Sequence, residues 1–133
     1  MKLGVFGGTF DPIHLGHLIL AEEVRERLGL DEVLFVPAGH PWLKSDVAVT
    51  DARHRLAMVE RAIEATPRFK VSDVEIRREG PSYTADTLED LTRSLDGDVD
   101  LYVIVGLDAL GEVDRWQRPS RVLELATLVG VVR

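Results

Sequence analysis

Short apolar runs alternate along the chain with longer segments in which apolar residues recur every three or four positions. Several of the runs are nearly continuous in Val, Leu, Ile and Phe, which is typical of strands buried on both faces of a parallel sheet. The runs predict five strands, at residues 3–6, 32–36, 70–76, 101–105 and 127–132.

Four helices are predicted between these strands. The first covers residues 15–28, with Leu20, Val24 and Leu28 on its inward face and Gly29 as its stop signal. Its apolar spacing matches the 3.6-residue turn of an α-helix, so this segment is predicted to pack one face on the sheet.

Capping residues predict where the other helices begin. Asp51 and Thr84 are expected to cap the second and third helices, the second ends at Thr66-Pro67, and Pro119 opens a short fourth one. The expected inward residues are Leu56, Val59 and Ile63 in the second helix, and Leu88, Leu91 and Leu95 in the third.

This alternation predicts an α/β fold with a Rossmann-like, doubly wound parallel sheet of about five strands, in which ligands bind beyond the carboxyl ends of the strands. The last strand runs almost to Arg133, with no helix to cover the edge of the sheet. We therefore expect residues 1–133 to form a single domain that lacks a C-terminal helical part. An uncovered edge also favours association between copies, so a homo-oligomer is a further expectation.

Composition narrows the classes of partner. The formal charge of −7 argues against broad nucleic-acid binding, which needs a basic surface, but it does not exclude a small phosphate ligand in a local pocket. No apolar run is long enough for a signal peptide or a membrane span. The absence of cysteine is compatible with a reducing compartment, and we expect a cytoplasmic protein.

The loop after the first strand carries the chemistry. Gly7 and Gly8 allow main-chain N–H groups to approach a phosphate, although the segment matches neither the dinucleotide G-x-G-x-x-G pattern nor a Walker sequence. His14 and His17 are three residues apart at the start of a helix, with Gly16 keeping their shared face open. Together with the helix dipole they predict an anion site; the alternative, a zinc pair, would require further ligands.

The segment 7–17, G-G-T-F-D-P-I-H-L-G-H, resembles the H-x-G-H nucleotidyltransferases, and within them the bacterial nicotinate-nucleotide adenylyltransferases. Further segments resemble this family along the whole chain: V-P-A-G-H-P-W-L-K at 36–44, H-R-L-A-M at 54–58, S-Y-T-A-D-T-L at 82–88, and G-L-D-A-L at 106–110 with Trp116 beyond it. The first motif indicates the superfamily, whereas 82–88 and the Asp108–Trp116 pair favour this member.

Two features depart from the family pattern. Residues 41–44, P-W-L-K, stand where P-P-H-K is commoner. The family also continues to an I-S-S-T-x-x-R motif that binds the triphosphate, and this chain does not reach it. The sequence is therefore expected to be a fragment or a naturally short form, whose own activity is in question.

The resemblance implies adenylyl transfer from ATP to nicotinate mononucleotide, with Mg²⁺ carried by the ATP. His14 and His17 would be the catalytic residues, with His17 at the α-phosphate. The residues implied in ATP binding are Gly7, Gly8, Thr9, Phe10, His14, His17, Lys44 and Asp108. Asp108 could instead cap a helix.

Recognition of the mononucleotide is implied for Tyr83, Thr84 and Trp116. Main-chain N–H groups at a helix start would bind the carboxylate of the nicotinate ring, and Trp116 would stack on the ring. Trp116 could instead be a surface anchor. Arg55 is expected to pair with a carboxylate and to support a loop rather than to touch a ligand.

Two other functions stay open at the level of sequence. One is a different H-x-G-H adenylyltransferase, acting on nicotinamide mononucleotide or pantetheine phosphate. The other is a nucleotide-binding fragment without catalytic activity.

Overall fold

The computed structural model describes residues 1–39 and 50–132. It contains one five-stranded sheet in which all neighbouring strands are parallel, in the order β3-β2-β1-β4-β5. The strands are β1 Lys2–Gly8, β2 Glu32–Pro37, β3 Phe69–Val71, β4 Asp100–Gly106 and β5 Ala126–Val131. The Rossmann-like, doubly wound α/β prediction is confirmed.

The helices connect these strands. They are α1 Leu15–Leu28, α2 Ala52–Ile63, α3 Val74–Arg77, α4 Thr84–Ser94, α5 Leu107–Leu110 and α6 Pro119–Leu125, with a 3₁₀ turn at Val113–Arg115. None of the helices in the described ranges is long and apolar enough to cross a membrane.

The core lies on both faces of the sheet. On one face, Ala21 and Val24 of α1 and Val59 and Ile63 of α2 pack with the phenylalanines of the central strands. On the other face, α4 and α6 pack on β1, β4 and neighbouring strands through Ala85, Leu88, Leu91 and Val122. Burial on both faces explains why the central strands are almost continuously apolar.

The predicted strand 70–76 is too long. The main-chain N–H of Ser72 still bonds to the carbonyl of Phe35, 2.9 Å away, but the hydroxyl of Ser72 then accepts from the N–H of Val74 at 3.2 Å. This local hydrogen bond competes with the ladder and turns the chain. Residues Val74–Arg77 consequently form the short helix α3.

The inward face of α1 also differs from the prediction. Leu28 is 38% exposed, whereas Ala21 is fully buried. Gly29 ends the helix, as predicted, and it does so in the left-handed conformation, with φ of 64°. Beyond this turn Leu30 is only 1% exposed and lies in the same core cluster as Ala21 and Val24.

Two of the three predicted helix starts are confirmed. Asp51 caps α2 by accepting from the N–H of Arg53 at 2.8 Å, and Pro119 is the first residue of α6. Thr84, however, does not cap α4. The carbonyl of Tyr83 accepts the first intrahelical bond, from the N–H of Thr87 at 3.1 Å, so Tyr83 is the N-cap and Thr84 already lies inside the helix.

The strand order places a crevice beside β1. From β1 the chain builds outward to β2 and β3, and β4 then returns to the opposite side of β1. In doubly wound sheets, ligands bind where the order reverses, beyond the carboxyl ends of the strands. The loops after β1 and β4 flank that point here.

Candidate functional site

The loop after β1 turns sharply at Phe10. This residue has φ of 50°, a left-handed conformation that is costly for a bulky side chain. Phe10 is nevertheless only 3% exposed: its ring packs edge-on against Phe6, with centroids 5.6 Å apart, and at a tilt against Phe35, with centroids 5.8 Å apart. A Cβ on Gly8 would lie 3.3 Å from the ring of Phe10, so the absence of a side chain at Gly8 leaves room for this ring.

The two histidines lie together, as the spacing predicts. His14 is the N-cap of α1, in an extended conformation, and His17 lies in the first turn. Their rings are stacked, with centroids 3.9 Å apart and an interplanar angle of 27°. A Cβ on Gly16 would lie 3.0 Å from two atoms of the His14 ring, which explains why this position carries no side chain.

A hydrogen bond sets the tautomer of His17. The main-chain N–H of His14 donates to Nδ1 of His17 at 3.0 Å. In a neutral imidazole one nitrogen accepts and the other donates, so Nδ1 as acceptor assigns the hydrogen to Nε2. The ring of His17 therefore carries its hydrogen on Nε2.

These residues line a cavity of about 420 Å³ at the N-terminus of α1. The first turn of this 14-residue helix has no acidic residue, so the helix dipole favours an anion there. The lining residues are Phe6, Gly7, Gly8, Thr9, Phe10, Asp11, Pro12, His14 and His17. All of the predicted phosphate-loop residues before position 40 are thus brought together.

Behind this loop lies Arg55, a buried arginine that is 1% exposed. Its guanidinium donates to the carbonyls of Thr9 at 2.9 Å and Ala38 at 2.5 Å, and more weakly to Gly39 at 3.3 Å. Its Nε donates to the carbonyl of Thr50 at 2.8 Å. Arg55 therefore joins the loop after β1 to the loop after β2.

The expected role of Arg55 needs correction in its chemistry. Arg55 supports the loops, as expected. Its hydrogen bonds, however, go to main-chain carbonyls and not to the carboxylate that was expected. Burial lowers the pKa of Arg55, while the charges of Asp11 and Asp51 raise it. A signal existed in the sequence, because Arg55 lies on the same helical stripe as the buried Val59 and Ile63.

Lys44 lies outside the described residues, as does most of the 36–44 segment. Its place in the site therefore stays a prediction.

The residues predicted to bind the second substrate lie on the same edge of the sheet. Helix α4 leads into β4, so it begins at the edge where the strands end, and Tyr83 and Thr84 form that beginning. No side chain at the N-cap position accepts from the first-turn N–H groups of α4. Trp116 follows β4 and α5; it is half-buried and packs against the core beneath α4 and α6.

Asp108 is exposed and follows β4 directly, across the strand-order reversal from His14. The alternative role of Asp108 as a helix cap is wrong. Gly106 is the N-cap of α5, and Asp108 lies inside that helix because the chain becomes helical at Leu107.

A network of polar side chains behind α4 was missed at the level of sequence. The hydroxyl of Thr87 donates to Glu75 at 2.6 Å and accepts from Arg78 at 3.1 Å, and Arg78 also pairs with Asp90 at 2.5 Å. Burial raises the pKa of Glu75, against the hydrogen bond from Thr87. Thr87, the second threonine of the S-Y-T-A-D-T-L segment, therefore anchors α4 to α3, which is a structural role.

A metal ion held by His14 and His17 would need further ligands, and the described part of the chain supplies none beside them. No group of three or more His, Cys, Asp or Glu side chains within residues 1–39 and 50–132 could hold an ion.

Comparison with known proteins places this geometry in a family. Residues 5–133 match the model of the cytidylyltransferase-like family. A "probable nicotinate-nucleotide adenylyltransferase" from Dehalococcoides mccartyi is 53% identical over 133 residues, which is 100% of this chain and 65% of that protein. The chain thus spans about 65% of the length of the first curated relatives it matches.

Two solved structures share the fold. A crystal structure from Vibrio parahaemolyticus has a TM-score of 0.79 at 21% identity, covering 97% of this chain and 76% of that one. The Plasmodium falciparum nicotinic acid mononucleotide adenylyltransferase complexed with NaAD has a TM-score of 0.75 at 17% identity, covering 99% of this chain and 76% of that one.

Proposed function

The chain belongs to the cytidylyltransferase-like family, and we propose that its residues 1–133 form a nucleotidyltransferase domain. The reaction we propose is adenylyl transfer from ATP to nicotinate mononucleotide in NAD biosynthesis. The name of the Dehalococcoides mccartyi relative supports this acceptor. The observation that carries the proposal is the orientation of His17, an Nε2–H donor at a helix N-terminus beside a glycine loop.

In this reaction a phosphate oxygen of the mononucleotide attacks the α-phosphorus of ATP. The bond from the α-phosphorus to the oxygen bridging to the β-phosphate breaks, and pyrophosphate leaves with the electron pair. The products are nicotinate adenine dinucleotide and pyrophosphate. Because the attacking phosphate is already anionic, the site needs no general base, and catalysis consists of positioning and charge stabilisation.

The triphosphate would lie in the cavity after β1. Nε2–H of His17 would donate to an α-phosphate oxygen as charge builds there, and the stacked His14 would bind a neighbouring phosphate oxygen. The main chain of Gly7, Gly8, Thr9 and Phe10 would line the nucleotide, since the glycines allow a close approach.

Two residues outside the loop would complete ATP binding. The exposed carboxylate of Asp108, across the strand-order reversal, would accept hydrogen bonds from the adenosine ribose hydroxyls. Lys44 would add positive charge near the phosphates. Mg²⁺ typically keeps its waters and phosphate ligands and takes few protein carboxylates, so we propose that it enters with ATP.

The mononucleotide would lie between α4 and Trp116. The first-turn N–H groups of α4, at Thr84 and beyond, would bind the carboxylate of the nicotinate ring, with Tyr83 at the same helix start. Trp116 would contribute its aromatic face to the ring. This arrangement would select the acid over the amide, because an amide places an N–H₂ donor where the helix presents donors.

The experiment is a pyrophosphate-release assay on the complete protein with MgATP and three acceptors: nicotinate mononucleotide, its amide, and pantetheine phosphate. We expect kcat/KM for the acid to exceed that for the amide by at least about tenfold. A preference for the amide or for pantetheine phosphate would assign another adenylyltransferase activity. ATP binding without pyrophosphate release from any acceptor would leave a nucleotide-binding module.

Two expectations about the molecule in solution remain proposals. Self-association is suggested by β5, an edge strand of the sheet, and sedimentation velocity would measure it. A cytoplasmic location rests on the sequence and on the soluble substrates proposed.

A further inference from the structure

Arg118 occupies a strained position just beyond Trp116. It is the N-cap of α6 and has φ of 49° and ψ of 57°, the left-handed region that a long side chain rarely adopts. Such strain persists only where surrounding contacts hold it. The contacts here are made by the guanidinium group.

The guanidinium of Arg118 binds two carboxylates on α4. It is 2.6 Å from Asp86 and donates to both oxygens of Glu89, at 2.8 Å and 3.2 Å. Asp86 and Glu89 are three residues apart and so share one face of the helix. Arg121 adds a further bond to Glu89 at 3.1 Å, so α6 is tied to α4 at two points.

The bound carboxylate of Asp86 lies in the first turn of α4. That turn is the one whose N–H groups we propose for the nicotinate carboxylate. A negative charge there repels an incoming anion, and the first turn of α1 at the phosphate cavity has no acidic residue at all. The first turn of α4 does contain an acidic residue, Asp86, but the guanidinium of Arg118 is bound to it.

We infer that Arg118 is a positioning residue for the mononucleotide: it holds the Trp116 segment against the first turn of α4 and neutralises Asp86. The inference rests on the proposed function for its substrate, whereas the placement of Trp116 rests on the contacts alone. Glu89 is ionised at neutral pH, because hydrogen bonds from Arg118 and Arg121 lower its pKa to about 2.

The central variant is Arg118→Asn in the complete protein. Asparagine tolerates the left-handed conformation, so this change removes the guanidinium with little added backbone strain. Arg118→Lys keeps one charge without the forked geometry. The matched control is Arg115→Gln: Arg115 is adjacent to Trp116 and 78% exposed, and its ion pair, 3.9 Å from Glu112, stays within its own turn.

The first readout needs no turnover. Residues 1–133 contain two tryptophans, so replacing Trp42, and any tryptophan outside these residues, by Phe leaves the fluorescence of Trp116 alone. We expect Arg118→Asn to shift its emission to the red and to raise the acrylamide quenching constant about twofold, as a half-buried ring becomes exposed. Arg115→Gln should change neither quantity, and Arg118→Lys should give an intermediate value.

The second readout is the KM for each substrate. In Arg118→Asn we expect the KM for nicotinate mononucleotide to rise roughly tenfold, with the KM for ATP and kcat within about twofold. The KM for the amide mononucleotide should rise less, because Asp86 repels the carboxylate and not the amide. Adding Asp86→Asn should restore much of the preference for the acid.

These outcomes separate the inference from the function on which it rests. An unchanged quenching constant in Arg118→Asn overturns the claim that Arg118 holds Trp116 in place. A changed quenching constant with an unchanged KM for the acid, in an enzyme that turns it over, overturns the role in substrate binding. If the parent protein does not use the acid, the proposed function fails, whereas the fluorescence comparison still decides the placement.

Discussion

At the residue scale, the ring of His17 is held from several directions. Its Nδ1 accepts from the main chain of His14, its face stacks on the His14 ring, and its other side meets Phe10 edge-on with centroids 5.1 Å apart. The H-x-x-H spacing predicted that the two rings would share a face. It could not predict the tautomer, because that depends on the extended backbone at position 14, with φ of −143°.

Replacing His17 tests the proposed donor. We expect His17→Ala to lower kcat by roughly 10²–10³, the usual loss for one transition-state donor, with a small change in the KM for ATP. Steady-state kinetics on the complete protein measure both. His54→Ala, an exposed histidine on α2, is the control and should keep parental activity. Parental kcat in His17→Ala would remove this ring from the chemistry.

Gly16 offers a test of ring placement that leaves the histidines in place. An alanine Cβ would lie 3.0 Å from Cε1 and Nδ1 of His14, so the ring must move. We expect kcat/KM to fall roughly ten- to a hundredfold. Stability should change by no more than about 1 kcal/mol, because alanine is the better helix former.

The control for this substitution is Gly111→Ala. A Cβ on Gly111 would meet carbonyl oxygens at 3.6 Å, which is ordinary contact, and its backbone is helical. Activity in this control should be unchanged. A Gly16→Ala enzyme as active as its parent would show that the stacked position of His14 is not needed.

At the element scale, periodicity located the five strands and the helices α1, α2, α4 and α6, but not the one-turn helices α3 and α5, and hydrogen bonds decided where the elements end. The prediction extended β3 to residue 76, but the strand ends at Val71, and the hydroxyl of Ser72 then accepts from the N–H of Val74 and turns the chain. Leu28 fits the stripe of α1, yet it is Leu30, beyond the left-handed Gly29, that lies in the core. Such competition between a local bond and a ladder cannot be deduced from residue spacing.

The contact between α4 and α6 predicts a dependence of stability on pH. Hydrogen bonds from Arg118 and Arg121 lower the pKa of Glu89 from the ordinary 4.5 to about 2 in the folded protein. A lowered folded pKa means that the unfolded chain takes up the proton first as pH falls. The stabilisation by Glu89 is therefore fully present above pH 4.5 and is lost between pH 4.5 and about 2.

Thermal unfolding of the parent and of Glu89→Gln measures this contribution. The parent should have the higher Tm at pH 7, and the gap should close as pH falls towards 2. Glu75 has a pKa raised by burial and contributes with the opposite sign, but it is present in both proteins and cancels in the difference. A gap in Tm that stays constant from pH 7 to 2.5 would contradict the ion-pair network.

At the scale of the whole molecule, the order β3-β2-β1-β4-β5 brings the predicted site residues of the described ranges to one edge of the sheet. The sequence predicted this edge, because motifs that follow or precede parallel strands must meet there. It did not predict how the loops are joined. Arg55 and Thr9 are 46 residues apart, and their contact depends on how α2 packs beneath two loops.

Removing Arg55 should therefore affect the molecule as a whole. We expect Arg55→Met to lower the free energy of unfolding by about 3 kcal/mol or more, because buried carbonyls at Thr9 and Ala38 lose their donor. Urea unfolding measures the change. Arg53→Met, an exposed position on the same helix, should stay within about 0.5 kcal/mol of the parent; equal effects of the two substitutions would contradict the role of Arg55.

The central claim is that the loop after β1 binds nucleotide phosphates through His17. The most direct measurement is ¹⁵N NMR of the histidine side chains in the complete protein, with and without MgATP. We predict that His17 carries its hydrogen on Nε2, with Nδ1 as an acceptor, and that ATP shifts the Nε2–H resonance while leaving the tautomer unchanged. A hydrogen on Nδ1, or a His17 ring whose resonances do not respond to saturating ATP, would contradict it.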